Sequence, residues 1–219
     1  MKKNICTKII IFLTAIITIC TTACASKQLP VQKERSETFI ADVNSFEIGT
    51  FHLYAASSNV GKLKVTDLYF SFDPRTNCVL VTGRIGVNAI RLGFSYEERK
   101  ELLKVKETYC FDYDAAAIPD TKPTKKNAYS TGNVSIEWGA MGLSHYVMTS
   151  YITNAQYLDE NKPYFRILCN QSEDERTQVY SPKLFIYISP SQWEKIIEVC
   201  NQERLIEMTD AILSEAEAF

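Results

Sequence analysis

Leu68-Tyr69-Phe70-Ser71-Phe72-Asp73-Pro74, returning as Cys78-Val79-Leu80-Val81-Thr82-Gly83-Arg84-Ile85-Gly86-Val87, is the stretch on which the fold turns. Leu68, Phe70 and Phe72 alternate with Tyr69, Ser71 and Asp73, the period of two that sends alternate side chains to opposite faces of a strand. Asp73-Pro74 then starts a turn, since Asp favours the first turn position and Pro pre-sets φ at the second. Residues 78–87 read as the partner strand, with Val79, Val81, Ile85 and Val87 on one face. The pair predicts an antiparallel hairpin.

Upstream, residues 38–54 (TFIADVNSFEIGTFHLY) are rich in aromatic and β-branched types and suit one or two strands. Residues 55–64 carry Ser57, Ser58, Asn59 and Gly61 and read as a turn. Downstream, Ser95 followed by Glu98 has the spacing of a capping box, in which each side chain satisfies the other residue's amide. A helix is expected from there, with Glu97 to Glu101 a solvated first turn and Leu102, Leu103, Tyr109, Cys110 and Tyr113 its buried stripe. Pro119 and Pro123 end it, and residues 120–127 make a polar loop. Val134, Ile136 and Trp138 alternate as a strand, and residues 143–152, 164–169 and 183–188 read as three more. Ser189-Pro190-Ser191-Gln192 joins an N-cap serine, a proline at the first helical position and a glutamine at the third. Trp193, Ile196, Ile197 and Cys200 form a stripe behind it, continued by Leu205, Met208, Ile212 and Leu213 after a bend near Asn201.

The fold class expected is α+β. It comprises an antiparallel sheet of about five to seven strands, a helix after the first hairpin, and one or two C-terminal helices packed on one face. Without βαβ alternation nothing supports a parallel sheet.

The N-terminus carries an address. Lys2, Lys3 and Lys8 precede an apolar run from Ile9 to Cys20, and small residues follow up to Cys24. A charged segment, a short apolar core and a small-residue cleavage site make a secretory signal. Thr22-Ala23-Cys24 resembles the lipobox of bacterial lipoproteins, though Thr21 stands where that family favours an aliphatic residue. The resemblance implies that Cys24 is lipidated and becomes the first residue of the mature protein. Ala23-Cys24-Ala25 is also an A-x-A box, so cleavage after Ala25 by an ordinary signal peptidase is the rival reading. The domain organisation expected is a signal peptide over 1–23, a polar tether over 24–37 and a single domain over 38–219. A palmitate-type anchor on Cys24 would hold the domain at a membrane of the cell envelope. Ala25 after the lipidated cysteine favours the outer membrane or cell surface over the inner membrane, by analogy with other lipoproteins.

The chain is 46% hydrophobic and 23% charged, so a packed core is expected. Losing a leader with three lysines and no acid makes the mature chain more acidic than the whole chain's formal −2, which argues against nucleic acid as a partner. Cys78, Cys110, Cys169 and Cys200 stay in the mature chain. They allow three disulfide pairings, or remain buried thiols, and none has the C-x-x-C spacing of a zinc or redox site.

Catalytic signatures are sparse. No G-x-S-x-G elbow, Walker A loop or G-x-G-x-x-G turn is present, so no cofactor is expected. Asp112, Asp114 and Asp120 lack the glycine and closing glutamate of a calcium loop. His52 and His145 read as core or sheet histidines, and Cys169 with His145 is the one nucleophile–base pair worth naming. Lys122, Lys125 and Lys126 form a small basic loop, and strand tyrosines such as Tyr69, Tyr146, Tyr164, Tyr180 and Tyr187 suit either packing or an aromatic platform. The apolar segment from Trp138 to Leu143 is unusual for a hairpin tip. Trp138 and Met141 are therefore candidate contacts for a partner or membrane interface, with packing against a helix the plainer alternative. These features suggest a non-catalytic, membrane-tethered envelope lipoprotein that binds a partner protein or envelope component. A hydrolase or transferase of unrecognised type, or a surface adhesin or antigen, are the alternatives.

Overall fold

A computed structural model describes residues 34–58, 62–118, 124–140, 142–159 and 162–217. Four strands come first: β1 (Phe46–Ser57), β2 (Lys64–Asp73), β3 (Cys78–Ile85) and β4 (Asn88–Phe94). Helix α1 (Tyr96–Asp114) and a 3-10 turn (Lys125–Asn127) lead to β5 (Ser130–Gly139), β6 (His145–Asp159) and β7 (Lys162–Cys169). The short strands β8 (Glu173–Asp174) and β9 (Val179–Tyr180) precede β10 (Leu184–Ile188), helix α2 (Pro190–Val199) and helix α3 (Gln202–Glu217).

Eight strands close into an antiparallel barrel in the order β1-β10-β7-β6-β5-β4-β3-β2, and β8 with β9 forms a separate two-stranded sheet. The expected open sheet of five to seven strands is therefore wrong, and so is the helix placed directly after the first hairpin. Closure comes from β1 pairing with β10, Tyr54 opposite Tyr187 and Ser57 opposite Leu184. Alternation along one strand is the same in an open sheet and a barrel, so only this distant pairing distinguishes them.

The predicted hairpin exists, with Phe72 opposite Val79 and Phe70 opposite Val81. Its second strand stops two residues early. Ile85 pairs with Asn88 across a two-residue loop, in which Gly86 has φ 68° and Val87 is exposed. A positive φ at the first loop position suits glycine and the tight primed turns that match strand twist. Residues 88–94 are consequently a fourth strand ahead of the helix. Gly83 permits a close approach beside it: a Cβ there would lie 2.5 Å from Leu68 Cδ2 and 2.9 Å from the Asp67 carbonyl.

One face of each strand fills the interior. Phe70, Val81, Leu92 and Ile136 lie side by side across four strands, as do Leu68, Gly83, Ile90 and Trp138. The apolar members are buried, each contributing about 1.5–3 kcal/mol of transfer free energy. Because neighbouring strands run opposite ways, the connections sort to two ends. The β1–β2, β3–β4 and β5–β6 links lie at one, called here the turn end, while α1 and α2 leave the strands at the other, the helix end.

Each helix has a readable start. Ser95 Oγ accepts from the Glu98 amide at 3.3 Å, but the Glu98 carboxylate does not return to Ser95. It accepts instead from the Tyr151 hydroxyl at 2.5 Å and the Asn133 amide at 3.2 Å, pinning α1 to the barrel. The box at Ser189 and Gln192 is complete, and α2 begins with Pro190 as expected. Asn201 Oδ1 accepts from the Arg204 amide at 3.1 Å, so the bend near Asn201 is a cap between two helices. The buried residues of α1 are Leu102, Val105 and Tyr109, whereas Leu103 is exposed. Residues 34–37, read as the end of the tether, join the folded unit: Arg35 pairs with Asp210 of α3, and the Glu37 carbonyl accepts from Asn77 Nδ2 at 2.9 Å.

Candidate functional site

A cavity of about 300 Å³ lies within the barrel on the helix side. Its walls are inward residues of the strands, among them Leu53, Phe70, Val81, Ile167 and Ile186. Trp193 and Ile196 face it from α2, because the 3/4 spacing of that stripe turns both toward the core. Tyr96, Arg99 and Leu103 of α1 and Asn201 and Gln202 at the α2–α3 junction also line it. Small-ligand pockets begin at about this volume and share this mixture of apolar walls with a few polar groups.

Arg99 is the polar group that stands out. Its Nη2 donates to Asn77 Oδ1 at 2.9 Å and to Gln202 Oε1 at 2.7 Å. The guanidinium lies 5.6 Å from the Phe72 ring centroid and 5.9 Å from that of Tyr96, aromatic faces that partly offset the lost hydration. Burial pulls its pKa below the ordinary arginine value, with the Cys200 and Cys78 sulfurs and Tyr96 opposing the shift. No carboxylate pairs with it among the described residues. Its Nη1 is buried and has no acceptor among them either, and the same holds for Nε1 of Trp193. An N–H buried without a partner costs about 1–3 kcal/mol, and more on a charged group.

The thiols nearby are inert at neutral pH. Burial pushes Cys200 up to about 12 and Cys78 up to about 11, and the opposing pull of Arg99 is the smaller effect in both. All four described cysteines are free.

The residues singled out from sequence fall elsewhere. Cys24, the leader, most of the tether, Met141 and Lys122 lie outside the described residues. Trp138 is 4% exposed and faces inward, stacked on His145 at 5.2 Å between ring centroids. It is a core residue, which removes it as a partner contact, whereas Leu143 at the same tip is 70% exposed. Cys169 and His145 do not meet. Cys169 lies opposite Tyr151, six residues along β6 from His145, or about 20 Å at the rise of a strand. Burial also pushes the Cys169 thiol up to about 12, and His145 Nδ1 is 3.0 Å from Thr177 Oγ1.

His52 is a sheet histidine, in β1, and its side chain stands on the outer surface rather than in the core, 2.6 Å from Asp67. Tyr69, Tyr146 and Tyr180 are exposed while Tyr187 is buried, so these tyrosines do not form one platform. No group of three or more metal-ligating side chains occurs among the described residues, and no helix among them is long and apolar enough to cross a membrane.

Sequence reasoning missed Arg99, which it placed in a solvated first turn. The available signal was spacing: Tyr96, Arg99, Leu102 and Leu103 are three and four residues apart and share a helix face.

No solved structure matches the chain. An uncharacterized protein of Treponema pallidum (strain Nichols) is 25% identical over 169 residues, covering 77% of this chain. The match spans 60% of that relative's own length. The family described as "Uncharacterised Treponema protein" matches residues 26–207, and the chain belongs to that family.

Proposed function

We propose that this protein is a membrane-tethered binding protein of the cell envelope, carrying a small, largely apolar ligand in its barrel. The observation that carries the reading is the 300 Å³ cavity, walled by Leu53, Phe70, Val81, Ile167 and Ile186. Eight strands enclose a space that side chains fill or that holds one small ligand, and here the side chains leave room. The lipobox-like Thr22-Ala23-Cys24 supports a lipid anchor at Cys24. Two or three acyl chains at about 0.8 kcal/mol per buried methylene would hold the barrel at a membrane surface, where apolar ligands are available. Ala25 favours the outer membrane or cell surface.

Two measurements test this. Mass spectrometry of the mature N-terminus should find acylated Cys24, lost in Cys24→Ala; an unmodified terminus at Ser26 would remove the tether. A fluorescent apolar probe such as 1-aminoanthracene should bind the wild type and lose about tenfold or more in affinity in Val81→Phe, whose ring occupies the cavity. Equal binding by both proteins would remove the carrier role.

A further inference from the structure

We infer that the barrel cavity takes an anionic amphiphile, a single carboxylate or phosphate head on a slim hydrocarbon chain, with Arg99 holding the head. The inference rests on the carrier reading and adds the chemistry of the ligand.

Three observations converge. The walls contributed by the barrel are hydrocarbon and aromatic, matching an alkyl chain. Arg99 lines the same cavity with a charge that no carboxylate answers among the described residues. Two buried donors, Nη1 of Arg99 and Nε1 of Trp193, have no acceptor among those residues, and both side chains belong to the cavity lining. A carboxylate offers lone pairs enough for several donors, and a planar guanidinium matches its geometry in a forked pair.

The surroundings favour an anion over a neutral head. Asn77 and Gln202 accept from Nη2 and hold the guanidinium in place, leaving Nη1 for the ligand. Lys100, also on the lining, is exposed and already paired with Glu97 at 3.3 Å, so Arg99 is the cation without a carboxylate partner among the described lining residues. Glu203, the one acid of the lining, is exposed and makes no ion pair with Arg99 among the described residues. A neutral alcohol would satisfy a donor but leave the half-buried charge unanswered, so selection by charge is expected. Arg99 sits among polar groups at the helix junction, while the strand residues beyond it are apolar. That polarity gradient fits a ligand charged at one end.

The test uses the full chain on lipid nanodiscs, with protein-free nanodiscs as the blank. Calorimetric titrations compare decanoate, decan-1-ol and acetate at pH 7. The wild type should bind decanoate about 10- to 100-fold tighter than decan-1-ol, the range of a charge-assisted hydrogen-bonded pair. Acetate, which has no chain to bury, should bind far more weakly than either. Arg99→Gln should bring decanoate to within about threefold of decan-1-ol. An unchanged circular-dichroism spectrum shows that the variant folds.

If decan-1-ol and decanoate bind the wild type equally, the carrier reading stands and the anionic head is wrong. If acetate binds as tightly as decanoate, the site is for a small anion and the amphiphile is wrong. If neither ten-carbon ligand binds, the carrier reading itself falls.

Discussion

At the turn end of the barrel, Ile90, Trp138 and His145 lie across neighbouring strands and fill the interior; on the helix side, Phe70, Val81 and Ile186 face an open cavity. Both regions are built from the same alternation of inward and outward residues. They differ in what closes them. Trp138 stacks on His145, and His145 lies 3.0 Å from Thr177 and 3.7 Å from the buried Asp174 carboxylate, so strand and loop side chains plug that end. The other end is covered by helices, which touch the barrel through pins such as Glu98 to Tyr151 and Tyr109 to the Pro163 carbonyl. Helices laid across a barrel mouth need not interdigitate with every strand, and the unfilled remainder is the cavity. Packing that supplies stability and space that supplies binding thus come from one pattern.

The comparison breaks first at Trp138. If it plugs the turn end, Trp138→Ala leaves a void and should cost about 3–5 kcal/mol. For a domain of this size that lowers the melting temperature by about 10 °C, read by circular dichroism. A shift within a degree or two would mean that the end is not filled by this ring.

Adding volume sharpens the contrast. Ile90→Phe at the filled end should cost about 1–3 kcal/mol, because a packed core resists extra atoms. Val81→Phe has the cavity to enter, so its cost should stay below about 1 kcal/mol. Equal losses in chemical denaturation would mean that the two regions are equally dense.

The difference between the two regions was only partly visible in the sequence. Residues 68–87 announced their hairpin because alternation and Asp73-Pro74 are local signals. The β4 strand was hidden behind Gly86-Val87, a turn whose second residue is apolar and so imitates a continuing strand. Closure depends on Tyr54 meeting Tyr187, and no local pattern encodes a pairing across more than half the chain. Arg99 shows the same limit at the site. Within Glu97-Glu98-Arg99-Lys100 it looks solvated, yet it is half-buried, with Gln202 of the α2–α3 junction against its guanidinium. At Trp138 the sequence left two readings open, an exposed apolar tip or packing into the core, and only the strand register turns the indole inward.

Alkaline stability probes the helix side through Cys200. Its pKa is about 12 in the folded chain against an ordinary 9.0. Below pH 9 both folded and unfolded chains keep the proton, and the contribution is fully present. Above pH 9 the unfolded chain ionises first, so stability falls as pH rises toward 12. The loss should reach about 1.4 kcal/mol by pH 10, and Cys200→Ala should lack that portion of the decline. Cys169, buried in the strands with a pKa also near 12, should behave the same way. A variant with the wild-type slope would show that Cys200 meets water.

The smallest effect belongs to Leu143, beside the plug but outside it. Trp138 and Leu143 flank one connection, and they are 4% and 70% exposed. Gly139 is what separates their fates: a Cβ there would collide with the Leu143 carbonyl, so the chain folds back tightly and turns Leu143 outward. An exposed side chain has little burial to lose, and Leu143→Lys should change stability by no more than about 0.5 kcal/mol. The substitution also tests whether an apolar tip serves a surface. The indole is committed to the core, so any membrane or partner contact at this end must run through Leu143 and its neighbours. If Leu143→Lys leaves both the melting temperature and vesicle binding of the lipidated chain unchanged, the turn end is closed in both senses, and recognition belongs to the helix side. Reduced vesicle binding at unchanged stability would instead give the filled end a surface role of its own.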